Sequence, residues 1–218
     1  MEVEKYSPTF LDGALRTLKQ QNRAKDGYPH LSEITGDLDN RLHHPERLNR
    51  DRLTHEAIRQ LDLYAEIGWI WEQMVEAVWK SREVVRRKGE LGGTEGEGVS
   101  WSQEPLFFGG IHMTPDIYYL EGDRVIVEDE KATWRSMRDI KTVWTSKFFE
   151  WDLRLRGYAK ALGTRYVRFH VLWVNGDYKQ RTPDSTKINL VYSQADIDSA
   201  WKQIKTHQAV MESEGKKW

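Results

Sequence analysis

The stretch from Thr114 to Lys131, TPDIYYLEGDRVIVEDEK, decides how the chain folds. Two β-rich runs, Asp116–Glu121 and Arg124–Lys131, are separated by Gly122-Asp123. A Gly-Asp pair between such runs predicts a two-residue hairpin, because glycine supplies the positive φ the turn needs. The turn then sets the register: Glu121 faces Arg124, Leu120 faces Val125, Tyr118 faces Val127, and Asp116 faces Asp129. Side chains alternate between faces, so Asp116, Tyr118, Leu120, Val125, Val127, Asp129 and Lys131 share one side, a mostly apolar face expected to meet the core. Two carboxylates meet at its end, with an ammonium two residues further on.

That arrangement is costly. Opposed side chains in an antiparallel pair have Cβ atoms about 4.5–5.5 Å apart, and like charges there destabilise the sheet. A divalent cation removes the repulsion, and two converging carboxylates are what Mg²⁺ accepts from a protein. A surface hairpin with a solvated acidic end is the plainer alternative. The Tyr, Leu, Val and Val on the same face favour the site.

Working outward, residues 51–88 carry a long helical pattern with Tyr64, Ile67, Trp71, Met74, Val75 and Val78 on one stripe and Glu72 at its edge. The Gly-rich run Gly89–Ser100 reads as a loop, and Leu106–His112 as a first strand entering the hairpin through Gly109-Gly110. Residues 138–162 predict a helix whose apolar face holds Val143, Phe148, Trp151, Leu155, Tyr158 and Leu162, with Arg154 one turn before Tyr158. Tyr166–Asn175 alternates as a strand and Lys187–Tyr192 as another. Ser193 opens the last helix with a capping box to Asp196, and Ile197, Trp201, Ile204 and Met211 form its buried stripe. Before all this, residues 7–21 predict an amphipathic helix. Asn22–Asn49, rich in Asp, Asn, Gly and His (His30, His43, His44), predicts a solvated or substrate-side loop, since its histidine spacing matches no zinc pattern. The element order is αβββαβ, a mixed α/β fold in one domain spanning residues 1–218. Its core covers about residues 50–175, with the N-terminal helix and loop (1–50) and a C-terminal strand and helix (186–218) as additions.

A chain of 218 residues can bury a proper core. It has no apolar run long enough to span a bilayer, and its charged start, MEVEKYSPTF, is no signal peptide. Having no cysteine excludes disulfides, thiolate zinc and cysteine-ligated iron–sulfur clusters, and fits a cytoplasmic setting. The 33 basic and 34 acidic residues nearly cancel, so net charge lends nucleic-acid binding no support. Ten tryptophans could stack on bases, but packing in or at the edge of the core accounts for them.

Pro115-Asp116 followed by Asp129-Glu130-Lys131, with the hairpin between and Gly109-Gly110 before, resembles the motif of the PD-(D/E)XK nuclease superfamily, in its RecB-like and phage exonuclease branch. The likeness of order and motif covers about residues 50–175. It implies a restriction-endonuclease-like core with a mixed central sheet flanked by helices. It also implies a divalent-metal-dependent deoxyribonuclease, an exonuclease of phage-type DNA replication, recombination or processing. Asp116 and Asp129 would hold Mg²⁺, with Mn²⁺ as substitute, aided by the backbone carbonyl of Glu130 and by Glu72. Gly68-Trp69-Ile70-Trp71-Glu72 resembles the branch's G-x-x-x-(H/E) helix, though Glu66 and Glu76 are also available. Lys131 would orient or deprotonate water and stabilise developing charge. Arg154 and Tyr158 stand where the branch carries Q-x-x-x-Y beside DNA, with arginine replacing glutamine. The implied partners are single- or double-stranded DNA and a recombination or replication protein, in host cytoplasm for a phage product. A nuclease-fold protein that binds nucleic acid without cutting is the alternative, and a structural protein with an incidental acidic hairpin is another.

Overall fold

The computed structural model describes residues 27–48, 67–68, 70–78, 101–102, 105–133, 148–174, 183–216 and 218. The readings of a helix at 7–21 and a loop at 89–100 lie outside these residues, as does the part of the 138–162 helix before Phe148. Four helices are described: α1 (Leu31–His43), α2 (residues 70–78), α3 (Phe149–Leu162) and α4 (Gln194–Ser213). The strands are β1 (Trp101–Ser102), β2 (Leu106–Phe108), β3 (Ile111–Met113), β4 (Ile117–Glu121), β5 (Arg124–Thr133), β6 (Tyr166–Trp173) and β7 (Asp184–Val191).

The hairpin forms as its turn dictates. Gly122 takes φ +64°, and β4 pairs with β5 from Glu121↔Arg124 to Ile117↔Glu128, one residue short of Asp116 and Asp129. The main sheet runs β1-β4-β5-β6-β7, with β5 and β6 parallel and every other pair antiparallel. It is a mixed sheet between helices.

The first strand differs from expectation. Leu106–His112 does not run straight into the sheet; Gly109 and Gly110 adopt φ +57° and +79°, folding the segment into the separate β2–β3 hairpin. The edge strand of the main sheet is instead Trp101–Ser102, paired with Tyr119 and Tyr118. Two adjacent glycines permit a reversal as readily as an extended chain, and backbone pairing with β4 selects the segment that reaches the sheet.

Asn22–Asn49 is also corrected. Most of its described part is helix α1, followed by a 3₁₀ turn at Pro45–Leu48. Leu31, Ile34, Thr35 and Leu38 recur at i, i+3, i+4 and i+7 and are buried, which is the helical period beneath a polar composition. Arg41 binds Asp37 one turn back and donates twice to Glu214 at 2.9 and 2.6 Å, tying α1 to the end of α4. His30 lies against His112 and His43 against Phe149, so the three histidines gather no metal site among the described residues.

α1, α3 and α4 cover one face of the sheet, where Val127, Val167, Phe169, Val171 and Trp173 join Leu31, Leu155, Ile197 and Ile204 in the main core. Gly157 is the point of close approach: a Cβ there would lie 2.8 Å from Leu31 Cδ2 and 3.3 Å from Ile204 Cδ1. The other face is buried too, under α2, with Val75 and Trp71 on Ile117, Tyr119 and Ile126. The apolar side of the hairpin is therefore not one face: Leu120 is exposed, while Ile117 and Tyr119 opposite are buried. On α2, Met74 and Val78 are exposed, so the stripe predicted from periodicity narrows to Trp71 and Val75 there. The strands of 166–175 and 187–192 run from Tyr166 to Trp173 and from Asp184 to Val191. Ser193 caps α4 as expected, its Oγ accepting from the Asp196 amide at 3.0 Å. Among the described residues, no helix is long and apolar enough to cross a membrane.

Candidate active site

β5 is central in the sheet and buried on both faces, and charged residues fill its C-terminal half. Glu128, Asp129, Glu130 and Lys131 are all buried. Alternation sends Asp129 and Lys131 to the α3 face and Glu128 and Glu130 to the α2 face. Asp116 follows Pro115 at the mouth of β4, where its Oδ2 accepts from the Glu130 amide at 2.7 Å. This bond replaces the ladder pairing that stops at Ile117 and holds the carboxylate beside β5.

Lys131 Nζ lies 2.5 Å from Asp129 Oδ2, 3.8 Å from Asp116 Oδ2 and 3.1 Å from the Glu130 carbonyl oxygen. The ammonium thus touches all three oxygens that the sequence reading assigned to a cation. Asp129 Oδ2 is buried, and its close partner is the Lys131 ammonium. A buried carboxylate oxygen with only a charge for company fits a hard divalent ion.

Burial pushes the Asp116 carboxyl well above the usual carboxylate range, and the charges of Asp129 and Glu72 add to this; Lys131 and the Glu130 amide oppose it. Glu72, half-buried on α2, is raised by burial, opposed by Lys131 and Arg154, and raised further by Asp129. The structure therefore brings Glu72 into the field of Asp116, Asp129 and Lys131, although α2 seats Trp71 and Val75 on the opposite face.

Arg154 and Tyr158 also project from α3 toward these charges. Arg154 is paired with Glu150, one turn back, and faces Glu72 electrostatically. The i, i+4 spacing of Glu150 and Arg154 was a signal for that pair in the sequence. Tyr158 is buried and donates its hydroxyl to the Thr114 carbonyl at 3.0 Å, anchoring the chain two residues before Asp116. Burial raises its pKa strongly; Arg154 opposes this and the carboxylates add to it. Trp151, counted only as apolar in the sequence, places its ring 5.8 Å from Lys131 Nζ and stacks on Phe148 at 4.1 Å. That leaves the ammonium walled on one side and facing oxygens on the other.

No protein-family model matches the chain, and no curated protein matches it. Among solved structures, an alkaline exonuclease from Laribacter hongkongensis in complex with dAMP is 16% identical over 86% of this chain and 89% of that one, with a TM-score of 0.47. Another structure of the same exonuclease is 17% identical over 65% and 67% of the two chains, with a TM-score of 0.39. A phage related exonuclease from Haemophilus somnus 129PT is 17% identical over 64% and 73%, also with a TM-score of 0.39.

Proposed function

We propose that this chain is a divalent-metal-dependent deoxyribonuclease that hydrolyses phosphodiester bonds, an exonuclease of phage-type DNA replication, recombination or processing. The observation that carries this reading is the position of Lys131, whose ammonium rests against Asp116, Asp129 and the Glu130 carbonyl together. A positive charge already occupies the place that these oxygens define. Mg²⁺ or Mn²⁺ would be held there by Asp116, Asp129 and the Glu130 carbonyl, with Glu72 extending the set.

Such an ion, when bound, polarises a phosphate and lowers the pKa of a coordinated water. Lys131, displaced from the oxygens, orients the attacking water and offsets charge developing on the phosphoryl oxygens. Arg154 meets a backbone phosphate by exchanging Glu150 for it, a bidentate geometry that guanidinium favours. Tyr158 acts at one remove, fixing the Thr114 carbonyl and so the approach of Asp116.

The test is digestion of end-labelled linear DNA and of circular DNA, with Mg²⁺, with Ca²⁺ and with EDTA. Linear DNA should be shortened from its ends in Mg²⁺ and spared in EDTA. Lys131→Ala should slow cleavage by about two to four orders of magnitude, the scale for one such contributor. Parent protein inert on linear, circular and single-stranded DNA and on RNA, yet binding DNA in a salt-sensitive way, would overturn the catalytic reading in favour of a binding protein.

A further inference from the structure

On the α2 face of β5, behind the proposed active site, Glu128 and Glu130 stand beside His170 of β6. The parallel register pairs Glu128 with Arg168 and Glu130 with His170, so all four side chains share that face. Glu128 and Glu130 are 0% and 2% exposed. Their charges are not balanced alike. Glu128 accepts from Tyr119 Oη at 3.0 Å and from Lys187 Nζ at 2.9 Å, with Arg168 Nη1 at 3.4 Å. Glu130 has neither oxygen hydrogen-bonded, and His170 Nδ1, also buried, makes no hydrogen bond either.

Yet His170 Nδ1 lies 3.0 Å from Glu130 Oε2 and 3.8 Å from Glu128 Oε1. An imidazole nitrogen thus stands between two buried carboxylates. Ligands about 2.1 Å from a tetrahedral ion stand about 3.4 Å apart, midway between these two separations. Ligand atoms of the three residues all lie within 4.8 Å of one another.

We propose that Glu128, Glu130 and His170 form a second cation site, for a transition-metal dication of the Zn²⁺ class, on the face of β5 opposite Asp129 and Lys131. An imidazole with two carboxylates suits zinc better than Mg²⁺, which favours oxygen alone. Trp71 packs its ring edge-on to His170 at 4.9 Å and shields the imidazole. Lys187 competes for Glu128 Oε1, but its side chain is 41% exposed and can withdraw to solvent. A cation here would strap β5 to β6. Neither the Asp116 nor the Asp129 carboxylate takes part, so a chain lacking both should still take up the ion.

The test uses the full chain carrying Asp116→Asn and Asp129→Asn, stripped with chelator and titrated with Zn²⁺ against a chromophoric competitor. One equivalent should bind and raise the melting temperature by several degrees. In that background Glu130→Gln and His170→Gln should each weaken uptake by at least about tenfold, as loss of a direct ligand exceeds loss of a supporting group. Lys187→Met should tighten it by removing the competing charge. Glu130→Gln keeps the side-chain volume, so it remains informative if the histidine variant fails to fold. No uptake by the doubly substituted chain, or uptake unchanged by both ligand variants, would overturn the site.

Discussion

Lys131→Met isolates what the ammonium does when no metal is bound. Methionine keeps the length and packing of the aliphatic stem beside Trp151 but removes the charge. Asp129 then stays 1% exposed, with an Oδ2 that makes no hydrogen bond and has lost its 2.5 Å partner. Removing one member of a buried ion pair costs about 3–5 kcal/mol, because the other charge is left uncompensated. The lower end applies here, since the neighbouring Asp116 side chain is 22% exposed and admits some solvent to the cluster. For a domain of this size each kcal/mol moves the melting temperature by about 2–4 °C, so about 3 kcal/mol predicts a fall of about 6–12 °C in EDTA. Mn²⁺ should then close most of that gap, since the cation replaces the ammonium against the same oxygens, and it should bind more tightly than to the parent. The assay is thermal denaturation by circular dichroism, with and without Mn²⁺, paired with calorimetric titration. A variant as stable as the parent in EDTA would show that Lys131 does not neutralise the carboxylates. A deficit that Mn²⁺ leaves untouched would show that the cation does not occupy the lysine's place.

Asp116→Asn should abolish Mg²⁺ binding in calorimetry and yet raise metal-free stability at neutral pH, as one of two facing carboxylates is neutralised while its amide oxygen still accepts from Glu130; unchanged Mg²⁺ binding would remove Asp116 from the ligand set. The raised pKa of Asp116 gives a pH signature: between its ordinary value of 3.8 and its raised one the native state holds the extra proton, so metal-free stability should fall as pH rises through that window. Cation affinity should climb over the same range with proton release, read by calorimetry in buffers of different ionisation enthalpy, and a flat affinity would contradict it. Tyr158→Phe leaves the Thr114 carbonyl without its donor and should cost about 1–2 kcal/mol with a few-fold loss of Mn²⁺ affinity, whereas a pure DNA-contact role would leave both unchanged. Gly157→Ala gains about 1 kcal/mol of helix propensity but drives a methyl to 2.8 Å from Leu31 Cδ2, an overpacking cost of about 1–3 kcal/mol, so urea denaturation should show a net loss that Leu31→Ala relieves.

Local chemistry was enough for the hairpin and for the cap of α4. A Gly-Asp turn leaves one register, that register carries Asp116 toward Asp129, and Ser193 with Asp196 reads as a cap wherever the helix goes. The grouping of Asp116, Asp129 and Lys131 follows from the same two-residue period. What sequence left open were choices that local preference does not rank. Gly109-Gly110 allows a straight strand or a reversal, and only pairing of Trp101–Ser102 with β4 settles which segment closes the sheet. The polar composition of Asn22–Asn49 hid a helix whose four buried positions matter because Gly157 and Ile204 offer them a surface. Periodicity gave α2 one broad stripe, but the area available on Ile117, Tyr119 and Ile126 admits Trp71 and Val75 and leaves Met74 outside. Tyr158 shows the same limit: its place on a helical face was legible, but its hydroxyl partner, 44 residues away in sequence, was not. Glu128, Glu130 and His170 likewise become neighbours only when β6 lies parallel to β5 in one register, which depends on how α3, the connection between the two strands, packs on the sheet. Contacts between residues far apart in sequence are chosen by the whole core, because each must repay the entropy of closing a long loop.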